Sequence, residues 1–330
     1  RKISGEPENQ PALSVVSPEK VFVGRGDVLE GLSRIWERVK NGKTAAAMLT
    51  GESGIGKTRA AERWLSLMQS RAVILRGRCD EVHRQSAFHP ALEMLTQGME
   101  EFGTDSLASL PRAFGGDLQK MIPGLKKHFP PAQSDASLPP DLARARLVRA
   151  FAHGLRTFAD LDRPLILFFD DLQWADTESL DLIAELIREA DNPAALILAT
   201  YRQDPLDRFA SQRRDGWFRD LGFDSIRIDP LSKDDTAQMI RGLGGLSHAP
   251  ESFAGRVHAE TEGSPLFIVE TLRGLFDGGY LSVNADGVWA IPLDRQRDES
   301  ARLPLPASLR EIIRIRVARL AENHKRALDS

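Results

Sequence analysis

Between residues 21 and 231, short continuous apolar runs alternate with longer stretches whose apolar positions recur at helical spacing. The runs are Thr44 to Thr50, Ala72 to Leu75, Leu165 to Phe169 and Ala194 to Ala199, joined by Ser225 to Asp229 with Ile226 and Ile228 alternating. Runs this short read as strands, and unbroken apolarity over their length places them in a sheet buried on both faces. The helical stretches are marked by Val28, Leu29, Leu32, Ile35, Trp36 and Val39, then by Ala60, Ala61, Trp64, Leu65 and Met68. A third follows from Asp141 to Leu161, with Leu147, Val148, Phe151, Leu155 and Phe158 on one face. Residues 88–129 read as mostly helical with irregular connections, and the proline-rich stretch Pro130 to Pro140 as an exposed loop. The fold class expected is α/β, a parallel five-stranded core sheet flanked by helices.

After Leu231 the strand runs give way to helices. Ser232 is placed to cap a helix over about 233–242, with Asp235 favouring its positive end. Another stretch covers about 250–260, and a third carries Val269, Leu272, Leu275 and Phe276. Gly278, Gly279 and Gly287 break a short segment with Trp289 and Ile291 that suits a hairpin. Four regions follow from these changes: a linker or flexible start over 1–20, an α/β region over 21–231, a helical region over 232–300, and the start of a further domain over 301–330. The last helix, from Ser308, shows more apolar residues than an isolated helix exposes, so it is expected to pack on something beyond Ser330.

Composition narrows the class rather than the function. Apolar residues make up 42% of the 330, enough for a real core. A formal net charge of -3 gives no general case for gripping a nucleic-acid backbone, and Arg213-Arg214, set among aspartates, reads as a solvated surface. The single cysteine, Cys79, cannot form an internal disulfide or a zinc cluster of thiolates, which suits a reducing, cytoplasmic compartment. No apolar stretch approaches the length of about 18 residues that crosses a membrane. The chain starts at Arg1 rather than Met, as a fragment or processed form would.

The chemistry sits at the ends of the predicted strands. Gly51-Glu52-Ser53-Gly54-Ile55-Gly56-Lys57-Thr58 matches G-x-x-x-x-G-K-[ST] between a strand and a helix, the context the phosphate-binding loop requires. Its glycines let backbone N–H groups turn toward phosphate oxygens, and the helix start adds unpaired donors and a positive dipole end. Lys57 is expected to reach the β- and γ-phosphates and Thr58 to offer its hydroxyl to Mg²⁺. Asp170, ending the third strand, is the candidate magnesium carboxylate. Asp171 is placed to orient or deprotonate the attacking water, though it is one methylene shorter than glutamate. Thr200 and Arg202, just past the fourth strand, are candidate γ-phosphate sensors, because ligands of open α/β sheets bind at the strands' carboxyl ends. Arg202 could instead pair with Asp204 or Asp207.

With these residues placed, the sequence resembles the signal-transduction ATPases with numerous domains, a branch of the AAA-related P-loop NTPases. The nearest likeness is to modules of large LuxR-type transcription regulators and multidomain class III adenylate cyclases. The resemblance rests on Phe22-Val23-Gly24-Arg25, the phosphate loop, Asp170-Asp171-Leu172-Gln173-Trp174-Ala175-Asp176, Thr200-Tyr201-Arg202 and Glu262-Gly263-Ser264-Pro265-Leu266-Phe267. It implies a P-loop NTPase domain, then a helical lid, then the start of a winged-helix region. It also implies that Val23, Gly24 and Arg25 lie near adenine and ribose, and that Pro265 closes over the base. Read from the residues alone, Gly263 and Pro265 are equally helix punctuation, and Trp174 is either a packing residue or a partner contact. The function expected is a Mg²⁺-dependent, ATP/ADP-binding regulatory module. In a larger protein it would switch with its nucleotide, joined to flanking regulatory or output domains and forming nucleotide-dependent homo-oligomers. A scaffold that binds nucleotide with little turnover is the alternative. A metabolic kinase would need an acceptor pocket that the sequence does not show.

Overall fold

Successive side chains of the core strands are buried on opposite faces of the sheet, and each face finds its own layer of helices. The computed structural model describes residues 21–83, 86–129, 139–159, 163–188, 194–202, 216–247, 249–284 and 288–290. The expected linker over 1–20, the last helix from Ser308 and most of the loop from Pro130 lie outside these residues. The described chain divides into two compact units, Arg25–Ile228 and a second that takes the described residues of 1–24 and 229–330.

The first unit begins with α1 (Gly26–Lys40), β1 (Ala45–Thr50), α2 (Lys57–Met68), β2 (Val73–Arg78) and α3 (His89–Phe102). It continues with α4 (Arg112–Met121), α5 (Pro140–Arg156), β3 (Leu165–Asp170), α6 (Thr177–Arg188), β4 (Ala195–Tyr201) and β5 (Phe223–Arg227). The five strands form one parallel sheet in the order β2-β3-β4-β1-β5. All five predicted runs are therefore strands, and the expected α/β architecture is present. Ala45, Ala47 and Leu49 of β1 face α1 and α2, packing with Leu32, Trp36, Ala61 and Trp64. Ala46 and Met48 face the other way, into a larger cluster with α3, α4, α5 and α6. Helices on both faces explain why these strands carry no polar alternation.

The order of strands fixes where a ligand can sit. From β1 the chain crosses past β4 and β3 to reach β2, then returns strand by strand to β4 and crosses β1 to β5. Neighbouring β1 and β4 thus send their connections in opposite directions, which opens a crevice outside their carboxyl ends. One helix, α6, is not among the helical stretches expected from the sequence. It follows directly on the Asp170 to Asp176 segment and buries Leu182, Ile183 and Leu186.

The second unit holds α7 (Lys233–Gly244), α8 (Glu251–Thr261), α9 (Pro265–Asp277) and a short antiparallel pair, β6 (Ser282–Val283) with β7 (Trp289–Ala290). Ser232 caps α7 as expected: its hydroxyl accepts from the Asp235 N–H at 3.0 Å, and the Asp235 carboxylate returns a capping-box bond. Ile240, Phe253, Val257, Ile268, Leu272 and Trp289 form its core, and Val21 and Val23 pack against it. Among the described residues, no helix is long and apolar enough to cross a membrane.

Candidate functional site

The phosphate loop leaves β1 through Gly51, whose φ of +148° lies outside the range that other residues favour. A Cβ there would also stand 2.8 Å from the Ile228 carbonyl oxygen, so glycine is required by space as well as by angle. Gly54 and Gly56 take positive φ too, and Gly56 directly precedes the first turn of α2. Ile55 is buried and anchors the loop's tip in the α1/α2 layer. Glu52 and Ser53 are exposed. Arg25, in left-handed geometry at the start of α1, donates from Nη2 to the Ile55 carbonyl oxygen at 3.2 Å.

Lys57 and Thr58 open α2. The Lys57 ammonium donates to the carbonyl oxygens of Gly51 at 3.0 Å and Glu52 at 2.8 Å, so it curls back over its own loop. Burial holds its pKa below the usual lysine value. The charges of Asp171 and Asp170 act in the opposite sense, and that of Arg202 adds to the lowering. Thr58 donates its hydroxyl to Asp170 Oδ1 at 2.8 Å.

Asp170, at the end of β3, joins the start of α2 to the end of β4. Besides Thr58, the fully buried Thr200 at the end of β4 donates to the same Oδ1 at 2.6 Å. Thr200 Oγ1 in turn accepts the Asp171 N–H at 2.8 Å, which ties the turn after β3 to β4. The Asp170 carboxyl sits above the ordinary aspartate range, chiefly because of burial. The hydrogen bonds from Thr200 and Thr58 oppose that, the neighbouring Asp171 charge reinforces it, and the Arg78 charge opposes it. Asp171 adopts left-handed backbone geometry, φ 57° and ψ 47°. Its carboxylate accepts from Gln173 Nε2 at 2.9 Å. The Gln173 carbonyl oxygen accepts the Arg202 N–H at 3.0 Å.

Loop, strand-end acids and strand-end Thr200 therefore converge as the strand order requires. The Arg202 side chain is exposed at the same edge, and Asp204 and Asp207, its alternative partners, lie outside the described residues. Two contributors were missed. Gln173 links Asp171 to the β4 end, and its place in the Asp170 to Asp176 segment was the available signal. Arg78 stands in register with Asp170 at the end of β2. Only strand pairing reveals that neighbour. Cys79 is buried, its thiol pushed above the usual range by desolvation and by the Asp176, Asp170 and Asp171 charges. It is no candidate nucleophile. Trp174 packs partly buried against the α3–α6 layer.

The remaining candidates belong to the second unit. Val23 packs with that unit's core. A Cβ on Gly24, φ +63°, would stand 3.2 Å from the Asp235 carboxylate. Pro265 occupies the first turn of α9. Just before it, Gly263 adopts φ +73° against the Leu231 carbonyl oxygen, and the Leu231 N–H donates to Gly263 O at 2.9 Å.

Thr58 and Asp170 present hard oxygen donors that hydrogen-bond each other at 2.8 Å, a set that suits Mg²⁺. Backbone donors at a helix start, with a lysine beside them, suit the phosphates of a nucleotide.

Comparison with known proteins agrees on a nucleotide-binding module. The family model "AAA ATPase domain" matches residues 21–198, more than half of the 330. A hybrid signal transduction histidine kinase G of Dictyostelium discoideum is 28% identical over 164 residues, covering 46% of this chain and 5% of that protein. An uncharacterized protein of Rhizobium meliloti is 23% identical over 268 residues, 76% of this chain and 24% of that protein. The chain thus spans a quarter or less of these relatives. Among solved structures, the ADP form of the Aeropyrum pernix ORC2 protein superposes with a TM-score of 0.50 at 12% identity. That match covers 81% of this chain and 67% of the other, a likeness of fold. The loop, the sheet order and the matched span lead to one assignment: the chain belongs to the AAA ATPase domain family.

Proposed function

We propose that this chain binds and hydrolyses ATP with Mg²⁺, and that it acts as a nucleotide-dependent switch within a larger signalling protein. The observation that carries the reading is the single carboxylate oxygen of Asp170, shared by Thr58 from the phosphate loop and Thr200 from β4. One atom thereby connects the nucleotide-gripping loop to the strand end where the γ-phosphate would lie. Thr58 and Asp170 would hold Mg²⁺, which supplies charge neutralisation across the phosphates when bound. Lys57 leaves the Gly51 and Glu52 carbonyls for the phosphate oxygens, exchanging neutral acceptors for anionic ones. Asp171 orients the attacking water, with Gln173 fixing its carboxylate. Arg202 and the loop N–H groups stabilise charge on the transferring phosphoryl group. Val23, Gly24 and Arg25 hold the adenine and ribose, and Pro265 covers the base. Those last assignments come from the family resemblance.

The signalling context also rests on resemblance, supported by the partial match to a hybrid signal transduction histidine kinase. In this reading ATP favours an oligomerising state and ADP a closed one, which requires the two states to contact the nucleotide differently. Steady-state phosphate release from the purified chain tests hydrolysis. Lys57→Ala and Asp170→Asn should each reduce it by at least about a hundredfold. Release that survives both substitutions overturns the assignment. The second reading, a scaffold that binds nucleotide with little turnover, draws on Asp171. Its short carboxylate is already engaged by Gln173. Tight ADP and ATP binding without phosphate release would establish that reading.

A further inference from the structure

The loop between β2 and α3 gathers a set of side chains that the nucleotide chemistry does not use. Asp80, His83 and His89 each place one potential ligand atom within 4.8 Å of the others. His83 Nδ1 lies 3.0 and 2.9 Å from the two carboxylate oxygens of Asp80. The His83 backbone N–H also donates to Asp80 Oδ1 at 2.8 Å, fixing the turn that carries both. The His83 and His89 rings stack with centroids 4.0 Å apart and planes 13° from parallel. One turn further along α3, Glu93 approaches His89 Nε2 at 3.5 Å. Its other oxygen accepts the Arg78 N–H at 2.7 Å. A carboxylate behind a histidine is the usual outer support of a ligating imidazole, orienting the ring and raising its basicity.

We propose that Asp80, His83 and His89 form a binding site for a divalent transition metal, with Zn²⁺ as the probe. Two imidazoles and a carboxylate match the donor preference of that class and not of Mg²⁺, which favours an octahedron of oxygens. Bonds of about 2.0–2.2 Å to one ion bring ligand atoms to within about 3.5 Å of each other in a tetrahedral set. The present spacing needs a contraction of about 1 Å, a motion open to half-exposed side chains. Glu93 supports His89 from behind, and water completes the coordination.

The site is held by rigid elements. The Cys79 N–H donates to the Asp170 carbonyl oxygen at 2.9 Å just before the loop. The Phe88 N–H faces Asp176 Oδ1 at 3.3 Å just before α3. A metal closing Asp80 onto His89 therefore braces a loop whose two ends hang on the acidic segment after β3. None of these contacts depends on ATP turnover.

The test is a Zn²⁺ titration by calorimetry of the tag-free full chain, in excess Mg²⁺ and without nucleotide. Wild type should bind about one Zn²⁺ that Mg²⁺ does not displace. His83→Ala and His89→Ala should each weaken it by at least about tenfold, and Glu93→Gln by about tenfold. His128→Ala should leave it unchanged. Equal binding in wild type and both histidine variants overturns the site, as does a loss of affinity in His128→Ala matching theirs. X-ray absorption of zinc-loaded wild type needs no variant to fold. Outer-shell scattering from about two imidazoles supports the assignment, and its absence overturns it.

Discussion

Asp170 accepts two hydroxyl hydrogen bonds on one oxygen and yet titrates above the ordinary aspartate range, so burial outweighs them. The folded protein therefore keeps that proton to higher pH than the unfolded chain. Stability then falls as pH rises from the unfolded value, about 3.9, through the raised folded one. Asp170→Asn abolishes that titration while its amide oxygen still accepts from Thr58 and Thr200. The nucleotide-free variant should melt above wild type at neutral pH, with the difference vanishing at acid pH. In the same protein, Mg²⁺ should no longer tighten ATP binding. Melting curves at several pH values, with and without Mg·ATP, check both parts, and a variant less stable than wild type at neutral pH contradicts the account. Gln173 gives a separable effect, since its amide holds the Asp171 carboxylate and the Arg202 N–H. Gln173→Leu should lower kcat by about ten- to a hundredfold, the size expected for misplaced groups. Nucleotide affinity should change little. A loss confined to KM would mean that Gln173 serves binding instead.

At the scale of elements, β2 and α3 show how closely the α/β layers are fitted. A Cβ on Gly77 would stand 2.3 Å from the Pro90 carbonyl oxygen, backbone that has no side-chain freedom to give way. Gly77→Ala should cost about 1–3 kcal/mol. That lowers the unfolding midpoint by several degrees, at about 2–4 °C per kcal/mol for a unit of this size. Gly26→Ala, where no atom lies within 4 Å, is the control and should change stability little. The strands themselves were legible because doubly buried strands are written as unbroken apolar runs, as in Leu165 to Phe169. The phosphate loop was legible because its glycines and its lysine are needed in a fixed order. α6 carries a helical pattern of the same kind as α1 and α2, Leu182, Ile183 and Leu186 buried with Asp181 on the exposed face, and it begins directly after the acidic segment. Arg78, Gln173 and the His83–His89 stack were not legible. Arg78 meets Asp170 only through sheet register, Gln173 meets the Arg202 N–H only where strand ends converge, and the stack forms only when one loop folds back on itself.

At the scale of the whole molecule, the described residues form two units with separate cores: the sheet with its two helical layers lies within Arg25–Ile228, and the α7–α9 core draws on residues outside that span. Units with their own cores open with their own free energies, so calorimetry should resolve two unfolding transitions in the nucleotide-free protein. A ligand stabilises only the folded forms that bind it, by about 2.7 kcal/mol at a hundred times its Kd. If the nucleotide engages the phosphate loop alone, Mg·ADP should raise one transition. The proposed roles of Val23, Gly24 and Pro265 carry a stronger expectation, because those residues belong to the second unit. Both transitions should then rise, and they should merge as nucleotide links the two openings. Lys57→Ala should return both to their nucleotide-free positions, since the phosphates supply the charge-assisted contacts. A second transition that stays fixed while the first climbs with Mg·ADP would remove the helical unit from the nucleotide site. It would also remove the means by which nucleotide could act as a switch through that unit.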